Sequence, residues 1–156
     1  MTRGGGGPGT PPLPLVLQSR GMSTASPELV ARLRRTLEEQ PAVALAVLFG
    51  SQARGQGGAA SDVDVAVRAP GADLLEVGRV LSLAVGLEVD VVDLDAAGYP
   101  LTRALVDDGV VVRERERGAG ARWRSHAIAS LEIDQPWFAR MRDAWIHRLA
   151  ARTARW

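Results

Sequence analysis

Residues 42–67 read AVALAVLFGSQARGQGGAASDVDVAV, and this stretch decides the fold. Ala42–Phe49 is a continuous apolar run of strand length, which predicts a strand covered on both faces. Gly55–Ala60 is rich in glycine and alanine and is typical of a flexible loop. Asp62–Val67 alternates in character from residue to residue, which predicts a second strand. The stretch is therefore predicted to be a strand, a loop and a strand in succession.

The flanking sequence supplies helices and two further strands. Ser26, Pro27 and Glu28 are typical of a helix start, with Ser26 as the N-cap, and Pro41 ends that helix. The later elements are predicted in this order: a helix from Leu74 that ends at Gly86, a strand over Leu87–Leu94, a helix over Pro100–Asp108, a strand over Val110–Arg113, and helical sequence from Ala121 with a break at Pro136. Strands alternate with helices, which predicts an α/β (α+β) fold.

The 156 residues are 46% hydrophobic, which suits one domain with a real core. Residues 1–25 are rich in glycine and proline, so we expect a disordered N-terminal extension. Residues 26–114 are predicted to form the core domain, and residues 115–156 a C-terminal helical segment. Met22 opens a normal-looking start, so residues 1–21 either belong to the working protein or precede it. No segment is predicted to cross a membrane.

Composition excludes several kinds of chemistry. The chain has no cysteine, which removes disulfides, thiolate zinc sites and a cysteine nucleophile, and we expect a cytoplasmic protein. All 19 basic residues are arginine, so a lysine Schiff base and the lysine of a P-loop are excluded. Residues 62–108 hold ten carboxylates against three arginines, whereas residues 113–155 hold ten arginines against five carboxylates. An acidic middle suits metal ions, and a basic end suits an anionic ligand or partner, unless these charges are simply solvated helix faces.

Three carboxylates are candidates for a metal site. Asp62 and Asp64 are two residues apart on a predicted strand, so their side chains point the same way. Such a pair belongs either on a solvated strand face or beside a divalent cation such as Mg²⁺. Asp90 lies within the apolar run Leu87–Val92, where a charge is costly unless it is paired or liganded. We therefore expect a buried Asp90 on a neighbouring strand.

Gly50 and Ser51 close the first predicted strand. Glycine lets the backbone approach a ligand, and a helical turn after it would direct N–H groups at an anion such as a triphosphate. The alternative is a tight turn with Ser51 as an N-cap. Arg54 either binds the triphosphate or the acceptor, or is a surface residue of a solvated loop.

These features together resemble the signature of a known superfamily. Gly50 and Ser51, then ten residues, then Asp62-Val63-Asp64, then Asp90 on the next strand, resemble the DNA polymerase beta-like nucleotidyltransferases. Phe49–Gly55 and Ser61–Val67 look like the smallest branch, the minimal nucleotidyltransferases (MNT) that are paired with HEPN ribonuclease toxins. The resemblance covers residues 26–114 and implies a small mixed sheet flanked by helices.

The resemblance also implies an activity, which is transfer of AMP from ATP to a hydroxyl group with pyrophosphate leaving. Asp62 and Asp64 would hold two Mg²⁺ ions. Asp90 would hold the ion on the nucleophile's side and would orient or deprotonate the incoming hydroxyl. Gly50 and Ser51 would bind the β- and γ-phosphates, and Arg54 is a further candidate for nucleotide binding.

The family also implies a partner. In its type VII-like toxin–antitoxin pairs, the nucleotidyltransferase is the antitoxin and adenylylates a tyrosine of the HEPN toxin, which implies a hetero-oligomer without direct nucleic-acid or membrane contacts. Two alternatives stay open: a catalytically silent antitoxin that occludes the toxin, and a nucleotidyltransferase that acts on a small molecule or on tRNA.

All four tryptophans lie in the final third of the chain. Phe138, Met141, Trp145 and Leu149 recur at helical spacing, which predicts a stripe that packs on the sheet. The alternative is a partner interface, because tryptophan and arginine are enriched at such surfaces.

Overall fold

The computed structural model describes residues 25–58 and 60–153, so most of the predicted extension lies outside the described residues. The elements along the chain are α1 (Pro27–Glu38), β1 (Leu45–Phe49), α2 (Gly50–Ala53), β2 (Val63–Arg68), α3 (Leu74–Val85), β3 (Val89–Asp93), α4 (Tyr99–Asp108), β4 (Val110–Glu114) and α5 (Ala119–Thr153). This alternation confirms the predicted α/β (α+β) class.

The four strands form one mixed sheet in the order β3-β2-β1-β4. Strand β1 is antiparallel to both β2 and β4, whereas β2 is parallel to β3. Strands β1 and β2 are therefore central, which explains why Leu45–Leu48 is buried without polar alternation. Strand β3 lies at an edge of the sheet.

The ends of the helices follow local signals. The N–H of Leu29 donates to Oγ of Ser26 at 3.5 Å, and Pro27 is the first helical residue of α1. Helix α3 ends at Gly86, which has a φ of +73° in the left-handed region that favours glycine. Both signals were readable in the sequence, and both predictions are confirmed.

Helices cover both faces of the sheet. Helices α1 and α3 pack on one face over a core that includes Leu33, Leu37, Leu48, Val65 and Leu81. The other face packs against α4 and the start of α5, where the core includes Leu45, Val47, Ala66 and Leu105. Ala25, which sequence analysis assigned to the disordered extension, is buried in the first of these cores.

Helix α5 is a single helix of 35 residues with Pro136 inside it, so the predicted break at Pro136 is wrong. Proline has no N–H to donate to the carbonyl four residues earlier, which belongs to Glu132, and its ring crowds that carbonyl. Glu132 and Pro136 are both exposed, so water can solvate that carbonyl and the helix continues. Among the described residues, no helix combines the length and the apolar character needed to span a bilayer.

The prediction that the α5 stripe covers the sheet is also wrong. Met141 and Trp145 are exposed large apolar side chains. Phe138 is partly buried, and it stacks on the ring of Tyr99 in α4 with centroids 4.5 Å apart. The stripe therefore leaves the body of the protein after Phe138.

Leu33→Ala should lower the free energy of unfolding by about 2–5 kcal/mol, because the deletion leaves a cavity in the core. Leu33 is 0% exposed, whereas Leu75 is 86% exposed, so Leu75→Ala is the matched control and should change stability by less than about 0.5 kcal/mol. Urea unfolding monitored by circular dichroism measures both values. Equal losses in the two variants would show that α1 does not seal the core as described.

Candidate active site

Strand pairing brings the three predicted carboxylates to one place. Asp64 is the second residue of β2 and lies in register with Phe49 of β1 on one side and Asp90 of β3 on the other. Residues in register on adjacent strands present their side chains on the same face of the sheet. Asp62 lies two residues before Asp64 and so continues the same side. The acidic side chains are therefore neighbours at one end of one face.

The pKa of Asp64 reflects this proximity. Partial burial raises the pKa of Asp64, and the negative charges of Asp90 and Asp62 raise it further. The positive charge of Arg54 opposes this shift. Carboxylates this close repel one another when ionised, and a divalent cation relieves that repulsion.

Asp90 is exposed, so the prediction that it is buried is wrong. Strand β3 lies at the sheet edge, and its valines on the opposite face, Val89 and Val91, pack against the core beneath α3. The apolar neighbours in the sequence therefore line the other side of the strand. Asp90 itself is exposed at one end of the other face, where a bulky reactant can approach it.

The donor set fits Mg²⁺ in an open site. Among residues 25–58 and 60–153, no three acidic, histidine or cysteine side chains are gathered closely enough to enclose a metal ion. Magnesium commonly binds one or two protein carboxylates and takes its remaining ligands from water and substrate phosphates. Asp62, Asp64 and Asp90 supply oxygen donors of this kind on a shared face, so they suit a metal site that a nucleotide completes.

Gly50 allows the loop after β1 to approach these carboxylates. It has a φ of +75°, and a Cβ at this position would overlap Oδ2 of Asp64. The residue that caps α2 is Phe49, so the alternative of Ser51 as the N-cap is wrong. Ser51 lies within α2 and is partly buried. Gly50 therefore lies directly against the side chain of Asp64.

Gln52 was missed by sequence analysis, although it is the buried polar side chain of this region, at 8% exposed. Its Nε2 donates to the carbonyl of Ser61 at 3.2 Å. A Cβ at Gly57 would collide with the Gln52 side chain, so the loop folds closely around it. Gln52 thus ties α2 to the residue directly before Asp62. A single glutamine in a loop of small residues gives no pattern from which this role could be read.

Arg54 lies at the surface, beside the acidic cluster. It is exposed, and its Nη1 lies 3.6 Å from Oδ2 of Asp108 at the end of α4. Its charge also reaches Asp64, as the pKa of that carboxyl records. Arg54 is therefore a surface residue that brings positive charge to the edge of the acidic cluster.

Asp93 and Asp95 do not join this cluster. They lie at the far end of β3, where Asp95 binds Arg68 with an Nη2–Oδ1 distance of 2.7 Å. Asp93 and Asp95 are both exposed, so water solvates them apart from the acidic cluster.

Comparison with known proteins places this geometry in context. A family model described as "Polymerase beta, Nucleotidyltransferase" matches residues 31–118. No curated protein sequence gives a match.

Several solved structures have a similar fold. A toxin–antitoxin complex with AMP-PNP is 24% identical with a TM-score of 0.62, and the match covers 74% of this chain and 98% of that chain. An MNT antitoxin in complex with the tri-AMPylated HEPN toxin of Shewanella oneidensis is similar at 23% identity and a TM-score of 0.58, over 76% of this chain and 97% of that one. A mutant of the toxin–antitoxin pair MntA–HpeT is 26% identical with a TM-score of 0.57, over 77% and 98% of the two chains.

Gly50→Ala should destabilise the protein more than Gly71→Ala. Both glycines have a left-handed φ, +75° and +76°, so both substitutions strain the backbone by about 1–2 kcal/mol. A Cβ at Gly71 meets nothing within 4 Å, whereas a Cβ at Gly50 displaces the Asp64 carboxylate. Urea unfolding and calorimetric titration with Mg²⁺ and ATP should show a greater loss of stability, and a loss of nucleotide affinity, only for Gly50→Ala. Equal behaviour of the two variants would contradict the close approach of Gly50 to Asp64.

Asp64→Asn should stabilise the metal-free protein at neutral pH. The pKa of Asp64 is raised in the folded state, so its ionised form opposes folding at pH values above that raised pKa. The opposition disappears below the pKa of an unperturbed aspartate, about 3.9, where the carboxyl is protonated in both states. The increase in Tm should therefore be present at pH 7 in EDTA and should shrink toward pH 4.

The control for this measurement is Asp107→Asn, which removes an exposed carboxylate that is paired with Arg103 at 2.9 Å. It should give no increase in Tm. A decrease in Tm for Asp64→Asn at pH 7 would show that the carboxylate is favourably paired in the metal-free fold.

Proposed function

This chain belongs to the polymerase beta nucleotidyltransferase family, and on that premise we propose that it transfers AMP from ATP to a hydroxyl group of a partner protein. The observation that carries the proposal is the meeting of Asp62, Asp64 and Asp90 beside Gly50 at one end of a face of the sheet. Acidic side chains that repel one another destabilise the folded protein when no cation is bound. A metal-bound triphosphate would relieve this repulsion.

In this proposal the nucleotide lies between the chain at Gly50 and Ser51 and the carboxylates of the acidic cluster. Asp62 and Asp64 would hold two Mg²⁺ ions, whose positive charge would offset the negative charge of the triphosphate and of the leaving pyrophosphate. Gly50 brings its backbone close to Asp64, and together with Ser51 it binds the β- and γ-phosphates. Arg54 supplies positive charge at the edge of the same cluster.

The transfer itself is an in-line displacement at the α-phosphorus. The acceptor oxygen forms the new O–P bond while the bond to the bridging oxygen of pyrophosphate breaks. Asp90 lies in register with Asp64 on the exposed edge strand. It would hold the ion on the acceptor's side, and in this proposal it orients the hydroxyl and takes its proton.

The partner is proposed from the related complexes. Similar structures contain MNT antitoxins together with HEPN toxins, one of which is tri-AMPylated. We infer that the partner of this chain is a HEPN-type toxin, that the acceptor is a toxin tyrosine, and that the chain acts as the antitoxin in a hetero-oligomer. The exposure of Asp90 supports a macromolecular acceptor, because a side chain on another protein can reach it without entering a closed cavity.

Intact-mass analysis of the toxin tests the activity. Brief exposure of the toxin to catalytic amounts of this protein with ATP and Mg²⁺ should add one or more AMP units. The toxin should stay inactive as a ribonuclease after the antitoxin is removed, because a covalent modification outlasts the complex. The double substitution Asp62→Asn with Asp64→Asn should abolish this mass increase without unfolding the protein.

The matched control is the double substitution Glu28→Gln with Glu76→Gln, which removes two exposed carboxylates from α1 and α3. It should transfer AMP at the wild-type rate. An unchanged toxin mass, with ribonuclease activity restored on separation, would refute the transferase and favour an antitoxin that acts only by occlusion.

A further inference from the structure

Helix α5 is much longer than the surface it covers. Its 35 residues span about 52 Å at 1.5 Å per residue. Near its start, Trp123 packs against the core of the second sheet face, and Ala127 and Leu131 are buried. Farther along, Phe138 stacks on Tyr99 at the start of α4. The residues that follow extend away from these contacts.

The side of α5 that packs against the sheet and α4 stays apolar in the residues after Phe138, where the helix no longer packs on them. Eighteen residues make about five full turns of an α-helix, so residues eighteen apart lie on the same side. Met141, Trp145 and Leu149 therefore repeat the positions of Trp123, Ala127 and Leu131. Met141, Trp145 and Leu149 are 49%, 59% and 40% exposed. Ala127 and Leu131, by contrast, are only 7% and 6% exposed.

We use the name distal face for Met141 and Trp145 together with the arginines that flank them, Arg142 and Arg148. Arg142 lies three residues before Trp145 and Arg148 three residues after it, so the two arginines lie about 60° to either side of the apolar line. Exposed tryptophan, methionine and arginine together are the composition of a protein interface. A solvated helix face has no need of two large apolar side chains one turn apart.

The charge of this segment selects the kind of partner. Residues 138–152 hold four arginines and one aspartate. That aspartate, Asp143, lies 3.3 Å from Arg142 in an exposed pair, which leaves the segment positively charged. A second copy of the same face would bring like charges together, whereas an acidic surface would be attracted.

We propose that the distal face is the surface on which the toxin docks, and that the toxin presents there an apolar groove with an acidic rim. This inference rests on the proposed function, because it takes its partner from there. The same apolar side of α5 then serves twice, first against the body of this chain and then against the toxin. The distal face lies outside the acidic cluster around Asp64, so docking and transfer can be separated by substitution.

The test uses the full chain and, as the probe, a HEPN-family toxin of the proposed pair. Met141→Glu with Trp145→Glu should weaken binding of that protein by at least about thirtyfold, the loss typical of a buried tryptophan anchor. The matched control is Leu75→Glu with Leu83→Glu, which places the same charges at two exposed leucines of α3. It should leave toxin affinity within about twofold of wild type, and both variants should bind Mg²⁺ and ATP as the wild type does.

Each outcome separates docking from catalysis. If the wild type transfers AMP and the distal-face variant binds and modifies the toxin equally well, the docking inference is overturned and the proposed function stands. If the wild type binds through the distal face but transfers no AMP, the proposed function fails and the docking inference stands. If the wild type shows no affinity for the toxin, both fail. Sedimentation of the chain alone is the remaining check: a dimer that the distal-face substitutions dissociate would make this a self-association surface and overturn the inference.

Discussion

The parallel register that sets Asp64 beside Asp90 is the constraint on which the rest of the site depends. It places like charges on adjacent strands at a position where Asp62 adds a third. The surrounding residues accommodate this arrangement. Gly50 has no side chain where one would overlap Asp64, and Gln52 holds the carbonyl of Ser61 so that the chain enters β2 in this register. The carboxylates repel one another when ionised, and a bound divalent cation would relieve that repulsion.

Local sequence patterns were enough to predict the helices and strands and part of the candidate site. Some signals determine structure only within a few residues along the chain, so their effects could be predicted from the sequence. These are the helix cap at Ser26, the helix end at Gly86 and the apolar run of β1. The pairing of Asp62 with Asp64 also follows from strand geometry alone. The exposure of Asp90 could not be predicted, because valines on both sides of it look the same whether a strand is central or at an edge. Which side of β3 is covered depends on α3 and on the strand order.

Helix α5 illustrates the same limit. A periodic apolar stripe indicates which side of a helix avoids water but not what covers that side. Trp123 and Trp145 lie on one stripe, yet the first packs against the sheet and the second is exposed. Pro136 gave a misleading signal because its effect depends on the solvation of one carbonyl. The tertiary structure therefore determines which part of the stripe is buried and which part is exposed.

The central claim is that Asp62, Asp64 and Asp90 form a metal site completed by a nucleoside triphosphate. Anomalous diffraction from crystals grown with Mn²⁺ and a non-hydrolysable ATP analogue tests it most directly. The account predicts Mn²⁺ bound to the carboxylates of Asp62 and Asp64, with the triphosphate running toward Gly50 and Ser51. A nucleotide bound elsewhere, with no manganese at these carboxylates, would contradict it.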